Sequence, residues 1–325
     1  MEKSCKIALL ISDSHLWGLW LYKALKKENF LFEPILSSEI DESFPFKYRA
    51  LFVPGGWSKN KLESLASWQK NIIKEFVREG GLYFGICGGA SLAGEEGLSL
   101  VKIGRKKERV PSYSGPCIVD FNANPLFQGI KKPIFFLWFP PELEIKDPTL
   151  KILAKFKEPS PEAYTSDLCL EDHFPYLSQY EKIYGIPLSP DKMKNKPLLI
   201  EGTLEKGKIL LSLIHFDTPF CKNSTLFWKN LAKFFNLPCN SFLKHEKQKL
   251  NIPFLSSLQR KFSTICKTLY KDTERLLNFA KRNFLFHQRY SFFYQWKRGI
   301  RGLEVLNLYF MLKEILECLR KNQYT

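Results

Sequence analysis

Gly80-Gly81-Leu82-Tyr83-Phe84-Gly85-Ile86-Cys87-Gly88-Gly89-Ala90 is the stretch on which the fold turns. A strand-like run, Gly81-Leu82-Tyr83-Phe84, leads into it, and Ala90-Ser91-Leu92-Ala93 opens a helical segment behind it. Gly85-x-Cys87-x-Gly89 is the cysteine counterpart of a nucleophile elbow, the strand–turn–helix in which the central residue is held in a strained backbone conformation. Side chains two positions away on either side would collide, and Gly85 and Gly89 remove that collision. The turn lifts the sulfur out at the carboxyl end of a sheet. The free N–H groups and positive dipole end of the following helix then favour thiolate over thiol. The other reading of the same residues is a tight glycine turn around a small buried cysteine.

Outward from the elbow, strand and helix signals alternate. Residues 6–11 form a continuous apolar run, as a strand buried on both faces does. Ser12-Asp13-Ser14 then offers N-cap chemistry for a helix over 15–27. Strands are expected over 30–36 and 49–54, the second running into Pro54-Gly55-Gly56. A helix is expected over 61–78, stopped by Glu79-Gly80-Gly81. This alternation argues for a parallel sheet between helical layers. The middle section is β-rich, with strands over 118–121, 134–138 and 151–156 and a loop or exposed strand in the basic stretch 101–109. Residues 157–196, rich in Pro, Ser, Asp and Lys, read as an excursion. A hairpin over 196–204 and 208–214 and a helix over 224–235 complete the unit. The expected fold class is α/β: a doubly wound, mostly parallel sheet over residues 1–238, with an appended α-helical region over 239–325. In that second region helices are expected over 256–286, 290–297 and 303–321.

Composition bounds the function. At 325 residues with 45% hydrophobic content, the chain can bury a large core. No apolar run approaches the ~18 residues a membrane span needs, and the apolar start of the chain is too short for a signal peptide, so a cytoplasmic location is expected. The eight cysteines, at 5, 87, 117, 169, 221, 239, 266 and 318, include no C-x-x-C pair. Neither a disulfide framework nor a zinc site is expected, and no metal or cofactor. Residues 240–325 hold 17 Lys/Arg against 6 Asp/Glu, which is +11 of a net +16. That excess is either a solvated basic surface or a docking face for an anionic partner: nucleic acid, an acidic protein or a membrane surface. Aromatics interleave with the basic residues there, as in a base-stacking surface, a membrane face or an ordinary packing face.

A cysteine nucleophile needs a base, and a base needs an orienting group. Among five histidines, His215 stands at the end of the apolar strand Lys208-Ile209-Leu210-Leu211-Ser212-Leu213-Ile214, and Asp217 follows two residues later. In an extended segment the two side chains share one side, and the carboxylate can fix the imidazole tautomer. An oxyanion hole can come from the backbone of Gly56, after the third strand, and of Gly88, after the nucleophile. Gly55 is a weaker candidate for contact with substrate, and a tight turn is the alternative for both glycines.

Three blocks together resemble a known family: Val53-Pro54-Gly55-Gly56, then Phe76-Val77-Arg78-Glu79-Gly80-Gly81-Leu82-Tyr83-Phe84-Gly85-Ile86-Cys87-Gly88-Gly89-Ala90, then Gly207-Lys208-Ile209-Leu210-Leu211-Ser212-Leu213-Ile214-His215-Phe216-Asp217. They resemble the class I glutamine-amidotransferase-like superfamily, closest to the family named for the N-terminal domain of biotin–protein ligases. The resemblance spans about residues 6–236. It implies Cys87 as nucleophile, His215 as base and Asp217 as orienting acid, where relatives carry Glu, and a small-molecule or peptide amide as substrate. Ser212-Leu213-Ile214 stands where relatives carry a Gly-Pro turn. Nothing resembles a biotin-ligase catalytic domain or a P-loop. Two functions follow as expectations. One is a cysteine-dependent amidase or amidotransferase-like hydrolase. The other is a catalytically silent binding or scaffold protein that works through its basic tail.

Overall fold

The computed structural model describes residues 6–106, 108, 110–239, 255–290, 293–296 and 303–323. The chain divides into two units, residues 1–241 and 242–325. In chain order the strands of the first are β1 (Lys6–Leu10), β2 (Phe32–Ile35), β3 (Tyr48–Val53), β4 (Leu82–Ile86), β5 (Ile103–Arg105), β6 (Tyr113–Phe121) and β7 (Ile134–Trp138). They continue with β8 (Leu143–Ile145), β9 (Lys151–Pro159), β10 (Tyr164–Thr165), β11 (Leu168–Cys169), β12 (Pro197–Leu204) and β13 (Gly207–Ser212). The sheet runs β11-β10-β6-β9-β12-β13-β4-β3-β1-β2, with β7 also on β6. β5 and β8 form a separate antiparallel pair.

The sheet has two halves of different character. β2, β1, β3, β4 and β13 are mutually parallel. The inner strands β1, β3, β4 and β13 are apolar over most of their length because both faces are covered, and β4 is buried at all five positions, whereas the outer β2 exposes Glu33 and Pro34. From β12 onward every pairing is antiparallel. The elbow strand β4 and the histidine strand β13 are neighbours in register, with Ser212 beside Ile86. Residues far apart in sequence thus reach one edge of the sheet together.

Local detail departs from the sequence reading in four places. The expected helix over 61–78 is two helices, Ser58–Glu63 and Ser67–Arg78. The second begins anew because the Ala66 N–H donates to the Gln69 side chain at 2.9 Å, a local cap that a continuous helix would not need. The helix His15–Lys27 forms as expected, but Ser14 does not cap it. Its hydroxyl instead donates back to the Leu10 carbonyl at 3.2 Å and accepts from Lys61. Residues 157–196 are no free excursion: β9 extends to Pro159, and β10 and β11 continue the main sheet beyond β6. In the second unit, the described residues of the expected helix 290–297, which are 290 and 293–296, are strand rather than helix. Strands β14 (Phe286–Tyr290) and β15 (Phe293–Trp296) pair antiparallel, in keeping with the strand preference of a segment dense in aromatics. They separate two long helices, Leu255–Arg282 and Leu303–Gln323. These helices bury Cys266 with Leu312 and Leu316, and Tyr270 stacks on Tyr309 at 5.1 Å. Among the described residues no helix is long and apolar enough to cross a membrane.

Helix Ser224–Phe234 closes the first core through Trp228, which is 1% exposed and meets the rings of Phe30, Phe52 and Phe84. The indole N–H donates to the Phe216 carbonyl at 3.1 Å, so core packing and the His215–Asp217 segment share one side chain. Trp228→Phe keeps an aromatic ring but leaves a buried carbonyl unpaired. It is expected to lower the unfolding free energy by about 1–3 kcal/mol, read as a lower urea midpoint at unchanged slope.

Candidate active site

Cys87 sits between β4 and the short helix Gly88–Leu92 with φ 51° and ψ −104°. A non-glycine residue holds that geometry only where its surroundings over-determine it. Three contacts do so. The Cys87 N–H donates to the Ser212 carbonyl at 2.6 Å, tying the elbow to β13. A Cβ on Gly85 would run into the Gly89 carbonyl, and a Cβ on Gly89 into that of Val53. A side chain at either glycine would therefore meet main-chain atoms. The helix after Cys87 is only five residues long, so its contribution at the sulfur is the local N–H groups of one turn rather than a long macrodipole.

Gly56 and Gly88 meet directly. A Cβ on Gly88 would collide with the Gly56 carbonyl, and Gly56 itself has φ +114° and lies against the Asp13 carbonyl. The loops after β1, β3 and β4 are thus stacked backbone on backbone. Gly88 opens its helix, so its N–H is a first-turn donor that no helical carbonyl takes. Gly55 lies against the candidate base. It is buried, and a Cβ there would stand 3.0 Å from both the His215 ring and Trp17. Its lack of a side chain makes room for the imidazole.

His215 and Asp217 are 0% and 3% exposed, and Nδ1 of the imidazole lies 3.0 Å from Oδ1 of the carboxylate. They meet through a turn rather than along an extended segment, since the Thr218 N–H donates to the His215 carbonyl at 3.1 Å. The His215 N–H donates to the Phe136 carbonyl on β7 at 2.9 Å. Burial presses the His215 pKa down. The charge and hydrogen bond of Asp217, with help from the nearby Cys87 sulfur, more than offset this and raise it to about 9. Nε2 has no hydrogen-bond partner among the described residues, which leaves one ring nitrogen unspent beside the cysteine.

The sequence reading passed over the aromatic and basic surroundings. Trp17 packs on the His215 ring at 4.9 Å and edge-on to Trp20 at 5.0 Å. Trp20 packs against Trp138, whose backbone carbonyl lies 3.9 Å from the Cys87 sulfur. Trp17 and Trp20 lie on the first helix after β1, at the carboxyl end of the parallel strands, where such sheets gather their ligand sites; that position was the available signal. Lys61, the first residue of the expected helix over 61–78, is fully buried and bonded to the turn after β1. A cleft of about 250 Å³ lined by Ser58, Leu62, Ser91, Leu92, Ile103 and Leu143, among others, adjoins the elbow helix. Cys87, His215 and Asp217 are not in its lining.

Residues 22–98, from the first helix through the elbow, match the family model described as biotin-protein ligase, N terminal. That span holds the Pro54-Gly55-Gly56 and Cys87 blocks, while His215 and Asp217 lie beyond it. Comparison with curated proteins gives no match. Among solved structures, PurLQS from Thermotoga maritima is 10% identical, with 71% of this chain and 99% of that chain covered at a TM-score of 0.49. A glutamine amidotransferase is 16% identical, with 71% and 99% covered at 0.46. The β-galactosidase from Bacillus circulans sp. alkalophilus is 11% identical, with 73% of this chain but 32% of that chain covered at 0.44.

The raised His215 pKa has a consequence for stability. A folded-state value of about 9, above the ordinary 6.5, means the native protein holds a proton that the unfolded chain releases. The contribution is complete below about pH 6.5 and is lost as pH rises through about 9. Urea unfolding of the parent and of His215→Gln across pH 6 to 10 is expected to show the stability gap between them shrinking over that window. A gap independent of pH would contradict the charged pair.

Proposed function

We propose that this protein is a cysteine-dependent amidase or amidotransferase-like hydrolase that acts on an amide or ester carbonyl. The observation that supports it best is the meeting of a strained Cys87 with a buried His215–Asp217 pair at the ends of neighbouring strands. In this reading the Cys87 thiolate attacks the carbonyl carbon of a small-molecule or peptide amide. The oxyanion accepts from the Gly56 and Gly88 N–H groups. His215, charged near neutrality and held by Asp217, gives its proton to the leaving nitrogen as the C–N bond breaks and a thioester remains. Water then attacks the thioester carbonyl and His215 takes its proton. The thiolate leaves and the acid is released. An amine in place of water completes a transfer.

Iodoacetamide labelling followed at the Cys87 peptide tests this without knowledge of the substrate. Cys87 is expected to label fastest of the cysteines at pH 7, and His215→Ala to slow it at least tenfold. Ammonia release from a panel of primary amides is expected to disappear in Cys87→Ser. Labelling of Cys87 no faster than that of a free thiol, and indifferent to His215, would overturn the enzymatic reading. A silent scaffold would then stand in its place.

A further inference from the structure

Lys61 is a buried cation that the proposed reaction does not use. Its side chain is 0% exposed, whereas Lys59 on the same helix is solvated beside Glu63. Nζ donates to the Ser12 carbonyl at 2.9 Å and to the Ser14 hydroxyl, both neutral acceptors. Among the described residues it has no carboxylate at ion-pair distance. Burying an ammonium costs several kcal/mol unless a negative charge answers it. A neutral donor such as glutamine could hold Ser12 and Ser14 without that cost.

The surroundings indicate what answers the charge. The turn held by Lys61 presses on the site, since the Asp13 carbonyl and Ser14 Cα occupy the space beside Gly56. The Gly56 carbonyl in turn occupies the space beside Gly88, which is bonded to Cys87. Helix Ser58–Glu63 packs directly on helix Gly88–Leu92, which begins at the elbow. Two ionisable groups favour the charged amine, Asp13 on the turn and Cys87 on the elbow. Burial is the larger influence and brings Lys61 down to about 7.

We infer that Lys61 is a positioning residue of the Cys87 site: its ammonium pins the turn after β1 against Gly56 and, when protonated, supplies a positive charge that supports the Cys87 thiolate alongside His215. This rests on Cys87 acting as the nucleophile. The coupling is reciprocal, because whatever the sulfur's charge does to Lys61, the charge on Lys61 does to the sulfur.

The test is the pH–rate profile of Cys87 labelling by iodoacetamide in the full chain, for the parent, Lys61→Met and His215→Ala. Lys61→Met keeps the length and removes the charge. It is expected to slow labelling at pH 7 about tenfold and to move the midpoint of the profile up by about one pH unit. A mere packing role would lower the melting temperature and leave that midpoint in place. A folded Lys61→Met with the parent's profile overturns the inference. If His215→Ala shifts the profile and Lys61→Met does not, only this inference fails. If neither does, the nucleophile reading falls with it. A second measurement keeps Lys61 intact in case the variant does not fold. The solvent-protected lysine ammonium signal in ¹⁵N NMR is titrated in the parent and in Cys87→Ser. A lower midpoint in Cys87→Ser supports the coupling, and equal midpoints refute it.

Discussion

Everything at the candidate site depends on three loops passing each other at backbone distance. The Val53 and Gly56 carbonyls lie where side chains at 89 and 88 would stand, and the Gly89 carbonyl lies where one at 85 would stand. Such contacts are open only to residues without a Cβ. They fix the ends of β3 and β4 to each other, and the 2.6 Å bond from the Cys87 N–H to Ser212 adds the end of β13. The backbone at Cys87 is thereby held in a conformation that costs roughly 1–3 kcal/mol, which the neighbouring strands sustain. His215, three residues past the end of β13, is then held by the bond from its N–H to the Phe136 carbonyl and by the turn at Thr218.

Burial lowers the pKa of two bases near Cys87, yet their net shifts have opposite signs. His215 rises because a carboxylate bonds its ring and outweighs desolvation. Lys61 falls because its bonded partners are a carbonyl and a hydroxyl, and desolvation wins. With pKa values of about 9 and about 7, one base is charged through most of the neutral range while the other titrates within it. The charge around Cys87 is therefore graded with pH in two separate steps.

Much of this was legible in the sequence because it is carried by local chemistry. Glycine spacing around Cys87 gives the elbow, and continuous apolar runs give the parallel strands. His215-Phe216-Asp217 after β13 gives the hydrogen-bonded imidazole–carboxylate pair, although the turn at Thr218 that joins its side chains does not show in a two-residue spacing. What stayed hidden depends on tertiary partners. A lysine in an amphipathic pattern looks solvated, and only the turn after β1 shows Lys61 to be buried. Ser14 has the composition of a cap, but Leu10 and Lys61 claim its hydroxyl. The two-residue strands β10 and β11 are too short for any periodicity to announce them, and β5 and β8 are three residues each.

The way the sheet ends bears on how the protein behaves in company. A bare strand edge is a template on which another chain can add, and long exposed edges promote aggregation. β2 carries Pro34, which has no N–H to offer, and β11 has only two residues. Along β7 the Ile134 carbonyl accepts from the Asn223 side chain and the Phe136 carbonyl accepts from the His215 N–H. The histidine backbone that positions the candidate base thus also seals the strand beside it. A change that loosened His215 would open a β-edge to other molecules as well as disturb the chemistry.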